Sequence, residues 1–200
     1  MTRWGAIATA FAVAVVGASA VYDSAVAAPA LLRPPGALGN GGFSSRCIRC
    51  GRCIEACPYR AIHAAPLSAG SQASTPCIDP RQCACSLCAD FPCISACPTG
   101  ALAPVESPSE VAMGVAILYQ ERCLSYKAMR CEVCYRACPF IDQAITIDYR
   151  QREGDAIHAV FAPQVHEGKC VGCGLCVQRC PVEDPSPSIS IVPAGQEAAR

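Results

Sequence analysis

The chain has 200 residues, with 16 lysines and arginines balanced by 16 aspartates and glutamates, and 18 cysteines. A formal net charge of zero removes the basic surface with which nucleic-acid binders neutralise phosphates, so that class is set aside. Cysteine at this density leaves a disulfide scaffold, a zinc protein or an iron–sulfur protein.

Large apolar side chains are scarce. Aromatics are 6% of residues, and the 52% hydrophobic content counts the cysteines and an alanine-rich N-terminus. Bound metal, whose ligation supplies folding free energy, is the natural supplement to so thin a core.

In chain order, Gly5 to Val21 is an apolar run behind the single basic residue Arg3, and no other charge appears before Asp23. A basic start, an apolar stretch and small residues at Ala18-Ser19-Ala20 or Ala25-Val26-Ala27 read as a signal peptide over 1–27. The run, at roughly 17–18 residues, is also long enough for an N-terminal membrane anchor. Either makes an exported, periplasmic location the expectation. The export route for folded proteins is marked by paired arginines, and here Thr2-Arg3-Trp4 offers one. Pro34-Pro35-Gly36 and Gly39-Asn40-Gly41-Gly42 mark 28–42 as a linker, so the folded domain is expected over 43–193, with 194–200 a tail.

Within that domain the sequence repeats four times. The runs are Cys47, Cys50, Cys53, Cys57; Cys85, Cys88, Cys93, Cys97; Cys123, Cys131, Cys134, Cys138; and Cys170, Cys173, Cys176, Cys180. Each ends Cys-x-x-x-Cys-Pro. The outer two have the C-x2-C-x2-C-x3-C-P spacing of bacterial ferredoxins. Three closely spaced cysteines let one loop wrap three corners of a cubane, with backbone N–H groups aimed at the sulfurs. The fourth, a helical turn on, ligates the neighbouring cluster. The sixteen cysteines are therefore candidate iron ligands for four [4Fe–4S] clusters. Zinc sites present cysteine pairs ~12–20 residues apart, and cysteines two apart are too close to bridge without strain. No Cys-x-x-Cys is followed by histidine, so c-type haem attachment is excluded.

Short apolar stretches follow each run, at Ala61-Ile62, Ala101-Leu102, Ala144–Ile147 and Ile189–Ile191. Strand-like stretches precede the last two, at Gly114–Tyr119 and Ala159–Val165. This is the pattern of an α+β fold of two ferredoxin-like 2[4Fe–4S] modules. The runs can pair sequentially, first with second and third with fourth, or nested, first with fourth and second with third. The two irregular runs lie between the two regular ones, and that symmetry favours nesting, with an outer module (43–70 plus 156–193) around an inner one (71–155). Nesting places Cys47, Cys50 and Cys53 with Cys180, and Cys170, Cys173 and Cys176 with Cys57. It places Cys85, Cys88 and Cys93 with Cys138, and Cys123, Cys131 and Cys134 with Cys97. Cys57 beside Cys85 would overturn it.

Other residues carry less. His63, His158 and His166 are isolated. Arg130 and Arg136 flank the third run, either compensating cluster charge or standing as solvated arginines. No Gly-rich phosphate loop is present, so no nucleotide is expected, and no acid–base pair or activated nucleophile points to an enzyme.

The segments between the cysteines resemble the NapG/MauM ferredoxin-type family. The resemblance is carried by Arg33-Pro-Pro-Gly-Ala-Leu38, Cys47-Ile-Arg-Cys-Gly-Arg-Cys-Ile-Glu-Ala-Cys-Pro58 and Phe91-Pro-Cys-Ile-Ser-Ala-Cys-Pro-Thr-Gly-Ala-Leu102. Arg130-Cys-Glu-Val-Cys-Tyr-Arg-Ala-Cys-Pro139 and Cys170-Val-Gly-Cys-Gly-Leu-Cys176 complete it. It implies an electron carrier fed by a membrane iron–sulfur quinol-oxidising subunit and emptied by a periplasmic c-type cytochrome or oxidoreductase of nitrate reduction or methylamine utilisation. It also implies the nested arrangement of dimethyl-sulfoxide-reductase-type electron-transfer subunits. A polyferredoxin subunit of a larger molybdenum or hydrogenase-type complex is the alternative, and a non-redox protein held by disulfides or zinc the alternative of another class. Cys77 and Cys83 stand outside the family pattern and are expected to form a small disulfide or remain idle thiols.

Overall fold

The computed structural model describes residues 31–39, 41–152 and 154–196. The expected signal or anchor segment lies outside them, as do the end of the tail and the side chain of His158. No helix among the described residues is long and apolar enough to cross a membrane.

Among the described residues the α-helices are four or five residues long, which is all that cysteine loops of this spacing permit. They are α1 (Gly42–Arg46), α2 (Arg52–Glu55), α3 (Pro92–Ser95), α4 (Val133–Ala137) and α5 (Leu175–Arg179). The Cys-Pro dipeptides stop the last two. A residue preceding proline is pushed out of the helical region, and Cys138 (ψ 125°) and Cys180 (ψ 124°) are accordingly extended.

Among the described residues six strands form three antiparallel pairs. In the first half, β1 (Ile62–Ala64) pairs with β2 (Pro76–Ile78). In the second, β3 (Gly114–Leu118) pairs with β6 (Ile189–Pro193) in the register Gly114↔Pro193 to Leu118↔Ile189. There β4 (Ile145–Arg152) and β5 (Asp155–Val165) make a long hairpin with Ile145 opposite Val165. The expected stretches at 61–62, 114–119, 144–147, 159–165 and 189–191 all fall on or beside strands. Ala101-Leu102 forms only a single bridge, Leu102 to Ala37.

That bridge corrects the expected linker. Residues 31–39 are packed into the first half, not strung between segments. Leu32 bridges Ile78, and Pro34 and Pro35 are among the most deeply buried side chains. Arg33 donates to the Thr75 hydroxyl at 2.7 Å and the Pro76 carbonyl at 2.9 Å, and stacks 4.8 Å over the Phe43 ring. Gly36 (φ +75°) has no room for a side chain, because a Cβ would fall 2.2 Å from the Ala103 carbonyl oxygen. The Pro/Gly composition that reads as a linker is here the signature of a tight, buried turn.

One apolar core holds Leu32, Phe43, Phe91 and Leu102 of the first half together with Met113 and Val171 of the second. A second core gathers Ala116, Ile145, Val177 and Ile189. Between the halves the main chains touch directly: the Cys85 amide donates to the Cys173 carbonyl at 3.0 Å. Arg81 closes the same joint from the β2 side. Its guanidinium donates to the carbonyls of Val177 (3.1 Å) and Cys180 (2.9 Å) and pairs with Glu183 at 3.0 Å. A cation there satisfies carbonyls that the end of α5 leaves open. Arg81→Ala is therefore expected to cost about 2 kcal/mol, the scale of charged hydrogen bonds lost from a half-buried site. The check is the temperature at which visible absorbance is lost on heating at a fixed scan rate.

Candidate metal centres

The cysteine loops owe their shape to left-handed residues at fixed places. In the first run Arg49 (φ +57°) precedes Cys50 and Gly51 (φ +78°) opens α2; in the fourth, Gly172 (φ +72°) precedes Cys173 and Gly174 (φ +85°) opens α5. The second run, despite its longer middle spacing, repeats the device with Leu87 (φ +52°) before Cys88 and Phe91 (φ +40°) opening α3. Left-handed conformations bend the backbone so that successive N–H groups face inward, a concavity suited to anionic sulfur. Three non-glycine residues accept the steric cost of that conformation. The third run is built differently: Ala128 (φ +62°) turns its longer loop, and the Ser125 hydroxyl donates to the Cys131 carbonyl at 2.5 Å.

Amides reach the sulfurs directly in places. Ala61 N–H lies 3.4 Å from Cys57 Sγ, and Ala116 N–H lies 3.4 Å from Cys170 Sγ. At Cys97, burial raises the thiol pKa, but amides of Leu102, Thr99 and Ala101 and the Thr99 hydroxyl outweigh it and leave the thiol more acidic than usual. The other affected run cysteines are pushed up, first by burial and then by neighbouring sulfur. Cys53, Cys85, Cys93 and Cys173 reach about 11 and Cys134 about 12. Thiols so arranged are poor anions by themselves and need a cationic partner to hold them as thiolates.

Which sulfurs face one another settles the pairing. Cys53 feels Cys47, Cys50 and Cys97, and those four line one small cavity. Cys85 feels Cys93, Cys88 and Cys57. Cys134 feels Cys123, Cys131 and Cys180, and these four line a second small cavity. Cys176 feels Cys173, Cys170 and Cys138. Cys57 thus stands beside Cys85, and the nested arrangement is overturned. Pairing is sequential, and the outer and inner modules (43–70 plus 156–193, and 71–155) give way to two consecutive halves. The physical reason is loop closure. Sequential pairing joins neighbouring runs, whereas nesting must first bring together runs from the two ends of the domain.

The four sets also form a series. The first meets the second where Cys93 feels Cys53, the second meets the fourth where Cys173 feels Cys85, and the fourth meets the third where Cys176 feels Cys134. In the set around Cys53 and the set around Cys134 the four sulfurs line a small cavity. Among the described residues no three Cys, His, Asp or Glu side chains converge as a single ion requires. Four thiols around a gap fit a cubane and not a mononuclear zinc site.

The remaining candidates separate cleanly. No disulfide joins Cys77 and Cys83, so of the two expected outcomes the pair of idle thiols is the one the structure supports. Cys77 is buried on β2 against Ala65 and Ala69, and the Cys83 thiol donates to the Tyr59 carbonyl at 3.4 Å. Cys83→Ser is expected to leave the iron content per chain unchanged, as read by colorimetric iron analysis. His63 lies opposite Cys77 in the β1–β2 pair, and His166 hydrogen-bonds the Thr146 hydroxyl at 2.9 Å. Arg130 and Arg136 both pair with Glu132, and Arg130 also covers the Phe161 ring at 5.0 Å. The sequence reading missed Arg33, Arg81 and the left-handed Leu87 and Phe91. The last two were foreshadowed only by the glycines at the matching places of the fourth run.

Comparison with known proteins bears directly on this arrangement. A 4Fe-4S dicluster domain matches residues 46–101 and again 127–183, the first match holding the first two runs whole and the second all of the last two except Cys123. The ferredoxin-type protein NapG of Escherichia coli is 44% identical over 164 residues, covering 81% of this chain and 70% of that one. NapG of Haemophilus influenzae is 45% identical, over 81% of this chain and 58% of that protein. The methylamine utilization ferredoxin-type protein MauM of Methylorubrum extorquens is 41% identical, over 81% and 74%. The chain belongs to the NapG/MauM ferredoxin-type family. Two dicluster domains amount to four [4Fe–4S] sites, and a member of this family is an electron carrier, not an enzyme.

Proposed function

We propose that the chain relays electrons from a membrane iron–sulfur quinol-oxidising subunit to a periplasmic c-type cytochrome or oxidoreductase. Its clusters are held by Cys47, Cys50, Cys53 and Cys97; by Cys85, Cys88, Cys93 and Cys57; by Cys170, Cys173, Cys176 and Cys138; and by Cys123, Cys131, Cys134 and Cys180. The unbroken series of four sulfur sets, each with a sulfur near the next, carries the reading. When bound, the clusters supply one-electron chemistry. The protein fixes their order, aims N–H groups at sulfur to tune potential, and buries one cysteine or more of every set. The names of the relatives support a nitrate-reduction or methylamine-utilisation setting, and the apolar run from Gly5 supports work at the membrane face.

The test is anaerobic purification followed by iron and acid-labile sulfide analysis and EPR of the reduced protein. About sixteen irons per chain and interacting S = 1/2 signals are expected from four cubanes. Colourless, metal-poor yet folded material would end the proposal.

A further inference from the structure

The two ends of the series differ in how their surface charge is met. At the first set, Arg46, Arg49 and Arg52 alternate with Cys47, Cys50 and Cys53, and Arg60 follows Pro58. All four arginines are exposed, and none is in an ion pair among the described residues. Glu55 is the one acidic residue between 41 and 60. In their midst Cys50 is exposed and Ile48 is 64% exposed. At the third set the arginines are answered from within: Glu132 takes Arg130 and Arg136, and Glu121 takes Arg122.

Uncompensated guanidinium groups repel one another and gain only when an anionic surface meets them. Such a patch steers oppositely charged partners and raises encounter rates by ~10–10³. A bare apolar side chain at its centre is what an interface desolvates first. We propose that the face around Cys50 is the docking surface for a redox partner whose electron-donating or electron-accepting group lies within an acidic face. This rests on the relay reading above and assigns one end of the series to one chemistry of partner.

The experiment uses anaerobically isolated, dithionite-reduced full chain, mixed in stopped flow with the cobalt(III)–EDTA monoanion or the hexaamminecobalt(III) trication. Each Co(III) takes one electron from the protein and becomes Co(II). The anion's rate is expected to fall with rising ionic strength as the patch is screened. At low salt the triple variant Arg46→Glu, Arg49→Glu, Arg52→Glu should slow the anion about tenfold and accelerate the trication, with the corresponding glutamine variant between. An equal charge change at Lys127, Arg150 and Arg152, which lie in the half that holds the third set and outside the patch, should leave the anion's rate within about twofold. Iron content and EPR-monitored potentials accompany every sample. A wild-type anion rate that does not fall with salt overturns the proposal. So does a reversed variant that keeps its iron and its rate, or one whose rate follows a shifted potential alone. Wild-type protein without iron overturns instead the relay reading on which the proposal stands.

Discussion

Serine at Cys97 is expected to remove the same iron as serine at Cys50. Both sulfurs face Cys53 and line one cavity, so each single substitution should cost one cluster, about four irons of sixteen. The double variant should still lose about four, because the second change strikes a site already emptied. Cys97→Ser combined with Cys131→Ser, which belongs to the set around Cys134, should lose about eight. Nested pairing inverts the two outcomes, since it puts Cys97 and Cys131 in one set. The comparison is a double-mutant cycle with iron as its readout, and additivity between Cys50 and Cys97 would refute the sequential pairing.

Gly172→Ala should be one of the most damaging single methyl groups in the molecule. A Cβ there would lie 2.5 Å from the Gly114 amide nitrogen and 2.6 Å from its carbonyl oxygen. Neither backbone can move without dragging β3 or the fourth cysteine loop, and the left-handed φ adds its own penalty. A loss of about 3 kcal/mol is expected, seen as a fall of about 8 °C in the temperature at which visible absorbance bleaches. Gly51→Ala isolates the backbone component. It shares the left-handed φ of +78° but has nothing within 4 Å of the new methyl, so about 1 kcal/mol is expected. Equal falls for the two variants would mean that the contact with Gly114 is not tight.

Much of this was readable from cysteine spacing alone. All sixteen run cysteines fall into four sets of four, each taking its fourth member from another run, as the position of the cysteine before proline implies. Strands at Gly114–Leu118 and Ile189–Pro193 announced themselves by apolar runs between turn residues. Pairing was not readable from the symmetry of the spacings, because the irregular loops of the second and third runs are local solutions. Leu87 and Phe91 reproduce the glycine geometry across a longer spacing, so an irregular run need not seek an irregular mate. Pro34-Pro35-Gly36 misled for a related reason: composition reports a turn, and only the Arg33 contacts to Thr75 and Pro76 show that the turn is buried. Arg81 left no trace in the sequence, since its partners at Val177 and Cys180 are main-chain carbonyls nearly a hundred positions away.

The hydrogen bond from the Cys85 amide to the Cys173 carbonyl has a kinetic meaning as well as a structural one. Tunnelling falls off exponentially with separation, so the junction between two halves is where a small hinge motion would throttle current most. Tying the halves at residues belonging to the two facing sulfur sets, with Arg81 clamped across the same seam, restrains that gap directly. Passage between the halves should therefore be insensitive to breathing elsewhere in the fold.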